Sequence, residues 1–187
     1  LAVKLEICSK SSKNKVCVMA CLSNGDHASL VDARLYLPKD WSDDPARCNE
    51  AGIPETSRVF KTKLELAFDI LLHQLKLGTV FEFVSADGYY GNDLNFGSKI
   101  NDLGLVYMLD IHRDQPIYLE KPELFLPQRK SSRGREPKRL KTSVQSIKVS
   151  EYCKNLQVNE WQKIKVRNTD KGTLTSMYHF VKVFVWN

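Results

Sequence analysis

Residues 60 to 93 read "FKTKLELAFDILLHQLKLGTVFEFVSADGYYGND" and contain the change of hydrophobic period on which the fold turns. Thr62 and Glu65 stand at the spacing of a capping box, in which two side chains satisfy backbone N–H groups that the first helical turn leaves bare. Leu64, Ala67, Phe68, Leu71 and Leu75 then share one helical face, and Gly78 follows the last turn as a C-cap. Such an apolar stripe has to lie on a sheet. Val80 to Ala86 supplies a strand-like run, and Asp87 ends it, with Gly88, Tyr90 and Gly91 close behind. Taken alone, Asp87 reads as a turn residue, because an aspartate after a strand readily caps its own backbone.

The flanking segments give this stretch its setting. "KVCVMACL", Lys15 to Leu22, is too continuously apolar for a strand with one wet face, so it reads as a central strand covered on both sides. Ser23-Asn24-Gly25-Asp26 offers an Asn-Gly turn, and "ASLVDARLYL" returns as the partner of a hairpin. Pro38 to Phe60 is polar, turn-rich and without a sustained period, which reads as a long loop. After Asp87, a helix capped by Asn92 or Asp93 presents Phe96, Ile100 and Leu103, and Leu105 to Ile111 forms another buried strand. The order is that of a mixed α/β domain. Strands joined through helices align their C-terminal ends along one edge, where ligands usually bind, and Asp87 sits on that edge.

With 187 residues, 42% hydrophobic and 27% charged, the chain can bury a substantial core. No apolar stretch is long enough to cross a membrane and no signal segment opens the sequence, so the expected location is the cytoplasm. Cys8, Cys17, Cys21, Cys48 and Cys153 are odd in number and lack a C-x-x-C, which favours buried free thiols over disulfides or zinc. His27, His73, His112 and His179 have no zinc-ligand spacing, and the "HRD" at His112 to Asp114 lacks the later asparagine of a kinase catalytic loop. Glycine-rich phosphate-binding loops are absent from the sequence as well.

Residues 129 to 141, "RKSSRGREPKRLK", carry Arg129, Lys130, Arg133, Arg135, Lys138, Arg139 and Lys141 against one acid. The remaining residues balance at 21 basic and 21 acidic, so the whole excess of +6 lies in this tract. Its Ser, Gly and Pro content describes an irregular linker whose cations suit the phosphates of a polyanion such as DNA. A solvated linker kept soluble by its charge is the competing reading. Beyond it, "SVQSIKV", "WQKIKVRN" and "TLTSMYHFVKVFVWN" are β-branched and aromatic, which gives a core over 1–115, a basic linker over 116–142 and a β-rich region over 143–187.

A series of motifs extends this reading. Asp32, Leu35, Tyr36, Leu37, Pro38 and Trp41, then Asp44 and Arg47, Ala51 to Pro54, Thr62, Lys63, Leu66 and Ala67, and finally Ala86, Asp87, Tyr90 and Gly91 follow one another in order. In that order and spacing the sequence resembles the DDE-type transposases of bacterial insertion sequences, over roughly its first 115 residues. The "SSRGREPKR" linker and the β-rich region after it are similar to the insertion that such enzymes carry.

The resemblance implies an RNase H-like catalytic core in which three carboxylates hold two Mg²⁺ (or Mn²⁺) ions for cleavage and transfer of DNA strands. It makes Asp87 the second catalytic acid and a metal ligand, with Gly88, Tyr90 and Gly91 as the supporting motif. It also implies DNA as partner, two transposon ends held by a homodimer, and a bacterial cytoplasmic setting. No counterpart of the first catalytic aspartate stands in "LAVKLEICSKSSK" and no downstream glutamate helix follows Trp186, so the first strand is expected to be missing and the chain to be a central fragment. Glu6 and Asp26 do not replace the first acid. Two readings result: a transposase core inactive without its other acids, or a non-catalytic DNA-binding remnant.

Overall fold

The computed structural model of the protein describes residues 2–12, 15–25, 27–129 and 136–186. The chain divides into two compact units, Leu1–Ile111 and His112–Asn187. The first is a mixed α/β unit. Its sheet has five strands: β1 (Lys4–Ser12), β2 (Lys15–Ser23), β3 (Ala28–Tyr36), β4 (Phe83–Ala86) and β5 (Tyr107–Leu109), in the order β3-β2-β1-β4-β5. β1 runs antiparallel to β2, with Ile7 opposite Ala20, and parallel to β4, with Ile7 opposite Ala86. β2 pairs antiparallel with β3, and β4 pairs parallel with β5.

The expectation of a missing first strand is corrected by β1, which fills the place between β2 and β4. Its Leu5 and Ile7 are fully buried while Lys4 and Glu6 on the other face are not, an alternation that makes a strand without any family motif. β2 differs from expectation too. Val18 and Ala20 are fully buried, but Cys17, Met19 and Cys21 are only partly so, because helices cover one face of this sheet. The Asn-Gly hairpin forms, with Gly25 at φ +92° and the Asn24 amide donating to the His27 carbonyl at 3.1 Å. Asp26 lies outside the described residues.

The span 38–60 is more ordered than a loop. It holds α1 (Lys39–Ser42), α2 (Pro45–Glu50) and a 3-10 turn at Glu55–Ser57. Asp44 caps α2 by accepting from the Arg47 amide at 3.0 Å, Pro45 opens the helix, and the Arg47 guanidinium lies 3.9 Å from the Trp41 ring centroid. One-turn helices lack the repeat that a periodicity reading needs. α3 (Lys63–Lys76) has the expected caps, with both capping-box bonds between Thr62 and Glu65 present and Gly78 at φ +73°, but Leu64, Phe68 and Leu75 of the expected face are only partly buried. Leu66, Ala67, Ile70 and Leu71 pack on the sheet against Leu5, Val18 and Val84.

α4 (Gly88–Gly91) and α5 (Leu94–Asp102) follow β4. α5 is capped by Asp93, buries Phe96 and Ile100, and packs Gly97 where an added Cβ would meet the Tyr107 hydroxyl at 3.4 Å, whereas Leu103 remains 39% exposed. β5 is an edge strand and not a buried one: Val106 and Met108 are 68% and 62% exposed.

The second unit pairs β6 (Pro116–Ile117) with β9 (Ile147–Lys148) and β7 (Leu124–Phe125) with β8 (Lys141–Thr142). A helix follows where only strand was expected. α6 (Val149–Asn155) replaces the end of "SVQSIKV", and its first turns are fixed by the Val149 and Ser150 amides donating to the Gln115 and Arg113 carbonyls. β10 (Gln162–Thr169) and β11 (Gly172–Tyr178) form an antiparallel ribbon. No helix among the described residues is long and apolar enough to cross a membrane.

One polar cluster ties β3 to α3. The Asp32 side chain, 6% exposed, accepts from His73 Nδ1 at 2.6 Å and from Gln74 Nε2 at 3.3 Å, with Arg34 at 3.4 Å. Gln74 is itself buried, and its Oε1 accepts from the Thr79 hydroxyl at 2.9 Å. Burial alone would raise the Asp32 carboxyl, but the His73 and Gln74 hydrogen bonds and the Arg34 charge outweigh it and hold the group below its ordinary value. The stabilisation is therefore complete above the unfolded carboxylate range and is lost as pH falls through the lower folded value. Thermal unfolding followed from pH 7 to pH 2 should show Asp32→Asn destabilised at neutral pH and lacking part of the wild-type acid-side decline. Parallel curves would remove Asp32 from that decline.

Candidate functional site at the sheet edge

β4 ends at Ala86, and Asp87 leaves it in extended backbone as the N-cap of α4. Its Oδ1 accepts from the Tyr89 amide at 3.0 Å, and its carbonyl accepts from the Tyr90 and Gly91 amides, each at 3.0 Å. The side chain is exposed. Because Ala86 pairs with Leu109 in parallel, and the Asp110 amide donates to the Ala86 carbonyl at 3.0 Å, Asp87 and Asp110 leave adjacent strands at the same level. Two carboxyl residues thus share this edge. Asp93, the next acid, is occupied in capping α5 through the Phe96 amide at 2.9 Å.

Gly91 is required by a close approach: a Cβ there would run into the Asp110 carbonyl. Tyr90 is fully buried beneath the turn, its ring 5.6 Å from Phe96 and 5.3 Å from Tyr89. Burial pushes its phenol up to about 12 against the opposing pull of the nearby Ser9 side chain, and the neighbouring Asp87 adds to the rise. The hydroxyl has no well-formed hydrogen bond among the described residues. Lys63, at the start of α3, holds its ammonium 5.2 Å from the Tyr89 ring and 5.6 Å from the Tyr36 ring, which sets a cation beside the Asp87 turn.

On the other side of β4, the residue of β1 level with Asp87 is Cys8. Burial first, then Cys21, Glu6 and Asp87, push its thiol up against the opposing pull of Lys10. A thiol kept neutral is neither a nucleophile nor a ligand for a hard cation. Glu6, two residues earlier, is engaged by Lys4 at 2.8 Å.

The other sequence-derived site residues are distributed as follows. Gly88 opens α4, and Arg129, Lys138, Arg139 and Lys141 are exposed in the second unit, with Lys141 in β8. Lys130, Arg133 and Arg135 lie outside the described residues. Asp110 and Lys63 were not singled out as site residues from sequence. A signal for Asp110 was present, since "LVYMLD" ends an apolar run on an acid just as "FEFVSAD" does. Lys63 gives no such signal, because its neighbours Tyr36 and Tyr89 are far away in sequence.

Magnesium prefers oxygen donors and is commonly held by one or two carboxylates plus water and substrate phosphates. Asp87 and Asp110 suit that chemistry and Cys8 does not. Among the described residues no group of three or more His, Cys, Asp and Glu side chains is placed to hold a metal. The edge therefore offers two hard donors, short of the three carboxylates of the resemblance.

The family model described as DDE superfamily endonuclease matches residues 3–173. The chain belongs to that family. No curated protein and no solved structure matches it. Membership in the DDE superfamily endonucleases covers both Asp87 and the ribbon's first strand, and it implies a transposase- or nuclease-type function on DNA. The five-stranded mixed sheet with its helices is consistent with a DDE nuclease fold.

Two substitutions separate packing from polarity in this DDE endonuclease chain. Tyr90→Phe should leave stability unchanged or raise it by up to about 1 kcal/mol, since it removes an enclosed hydroxyl without its hydrogen bond. Gly91→Ala should cost about 1–3 kcal/mol by forcing backbone apart at Asp110. Urea denaturation measures both, and a destabilised Tyr90→Phe would show that the hydroxyl has a partner after all.

Proposed function

We propose that this chain serves DNA transposition: metal-dependent cleavage and transfer of DNA strands by an insertion-sequence transposase with an RNase H-like core, acting in the bacterial cytoplasm. The observation that carries the reading is an exposed Asp87 at the C-terminal end of β4, level with Asp110 and backed by a hydrogen-bonded turn. Asp87 would hold Mg²⁺ or Mn²⁺, with Asp110 as the nearest second donor. Such an ion would supply Lewis-acid stabilisation of charge on a phosphate. The chain's own residues do the positioning: the Tyr89 amide orients the carboxylate, Gly91 lets α4 sit against β5, and Lys63 offsets negative charge near the edge.

Arg129, Lys130, Arg133, Arg135, Lys138, Arg139 and Lys141 would bind DNA phosphates, and two chains would hold two transposon ends. The second reading, a DNA-binding remnant without catalysis, is favoured by Cys8, a neutral thiol standing where β1 passes Asp87.

Cleavage of a transposon-end duplex, assayed with Mg²⁺, with Mn²⁺ and with EDTA, tests the proposal. Asp87→Ala should lower metal-dependent cleavage by more than about a hundredfold, beyond the loss typical of a residue that only supports a ligand. Cleavage that survives Asp87→Ala would reject the catalytic assignment; DNA binding without cleavage in the wild type would leave the remnant reading in its place. Neutralising the seven basic residues should flatten the dependence of affinity on salt, and an unchanged slope would remove the tract from the DNA contact.

A further inference from the structure

We propose that the β10–β11 ribbon is a second DNA-contacting element, which docks in the major groove of duplex DNA independently of the 129–141 tract. The proposal deepens the DNA-acting reading above and rests on it for the partner, but not on catalysis at Asp87.

The ribbon is exposed on both faces. Every residue of β11 and every residue of β10 except Ile164 is exposed, so no described residue of this unit covers either side. Over Gln162 to Tyr178 the sequence carries Lys163, Lys165, Arg167 and Lys171 against the single acid Asp170. That balance opposes an apolar or cationic partner and suits a polyanion.

The pairing register sorts these groups by face. Lys163 lies opposite Met177, Lys165 opposite Thr175 and Asn168 opposite Thr173, which puts two cations, an amide and two hydroxyls on one face of the ribbon. An irregularity between Lys165 and Arg167 inserts Val166 and turns Arg167 to the face of Leu174 and Ile164. Cations therefore stand on both faces of the ribbon, with Thr175 opposite Lys165, and with Asn168 and Thr173 nearer the turn, where the Thr173 hydroxyl donates to Asn168 Oδ1 at 3.4 Å. Cations on the one hand, and amides and hydroxyls on the other, are the side-chain types that pair with phosphates and with base edges respectively.

Size and anchoring agree with this use. Two strands about 4.8 Å apart fit a B-form major groove about 12 Å wide, which admits a two-stranded ribbon. The base of the ribbon is fixed. His179, just past β11, contacts the Tyr152 hydroxyl of α6 through Nε2 at 2.9 Å and the Glu160 carbonyl through Nδ1 at 3.0 Å, and Trp161 packs against its ring at 6.3 Å. A ribbon held at its base and bare along its length can enter a groove as a rigid unit.

The test is fluorescence anisotropy of the whole chain with a labelled 20-base-pair duplex in EDTA, across a chloride series. The triple variant Lys163→Gln, Lys165→Gln, Arg167→Gln should retain its circular dichroism and bind more weakly. Its slope of log affinity against log salt should fall by about 3, one for each lost phosphate contact. The charge-keeping Lys163→Arg, Lys165→Arg variant should bind like wild type. Unchanged affinity and slope in the triple variant, while the tract variant weakens, would overturn the ribbon and leave the DNA reading standing. Equal, ribbon-dependent binding of single-stranded DNA would overturn groove docking, and a wild type that binds no duplex would overturn both. Conversely, loss of binding in the triple variant together with cleavage unaffected by Asp87→Ala would uphold the ribbon and reject the catalytic proposal.

Discussion

The parallel pairing of β1 with β4 is the constraint on which the first unit depends. It joins residues almost eighty positions apart, Leu5 to Val84 and Ile7 to Ala86, all of them nearly or wholly out of water. Every other placement follows from it. α3 has to return across the sheet to deliver β4 beside β1, and β5 adds to the open side of β4 in the same direction. The C-terminal ends of β4 and β5 then come level, and two carboxyl residues stand together that are distant in sequence. Loop closure of that length costs entropy, which the buried aliphatic contacts between α3 and the sheet offset.

Much of this was legible in the sequence wherever a repeat or a cap had room to show itself. Thr62, Glu65 and Gly78 define α3 to within a residue, and Asn24-Gly25 marks the hairpin. Short elements were not legible, for a physical reason. α1, α2 and α4 are too brief for an apolar stripe, and they are held by single contacts such as Arg47 on Trp41 and the Asp44 cap. β1 was hidden differently: its alternation is short, resting on Leu5 and Ile7, and it carries Cys8 where the family resemblance places a catalytic aspartate. α6 begins at Val149 inside a β-branched run, where backbone bonds to Arg113 and Gln115 override local preference.

The candidate site was half visible. Asp87 stood out because a family motif surrounds it, whereas the placing of Asp110 and Lys63 beside it depends on pairing register and on ring contacts between residues distant in sequence. The motif residues upstream of Asp87 turn out to have structural work of their own. Asp32 anchors β3 to α3 through His73 and Gln74, and Trp41, Asp44 and Arg47 interlock around α2. Their presence in series marks a scaffold that holds the sheet edge in shape, and it says little about which groups react.

The bond from the Tyr89 amide to Asp87 Oδ1 carries a further implication. It removes the opposition between a turn cap and a ligand. One oxygen of the carboxylate already accepts from the backbone, which orients the side chain as part of folding, while both oxygens keep lone pairs for an incoming group. An incoming group therefore meets a carboxylate part of whose ordering entropy was spent before it arrived. The cap thus orients an acceptor at the edge in advance, a property of the turn itself that does not depend on what is eventually bound.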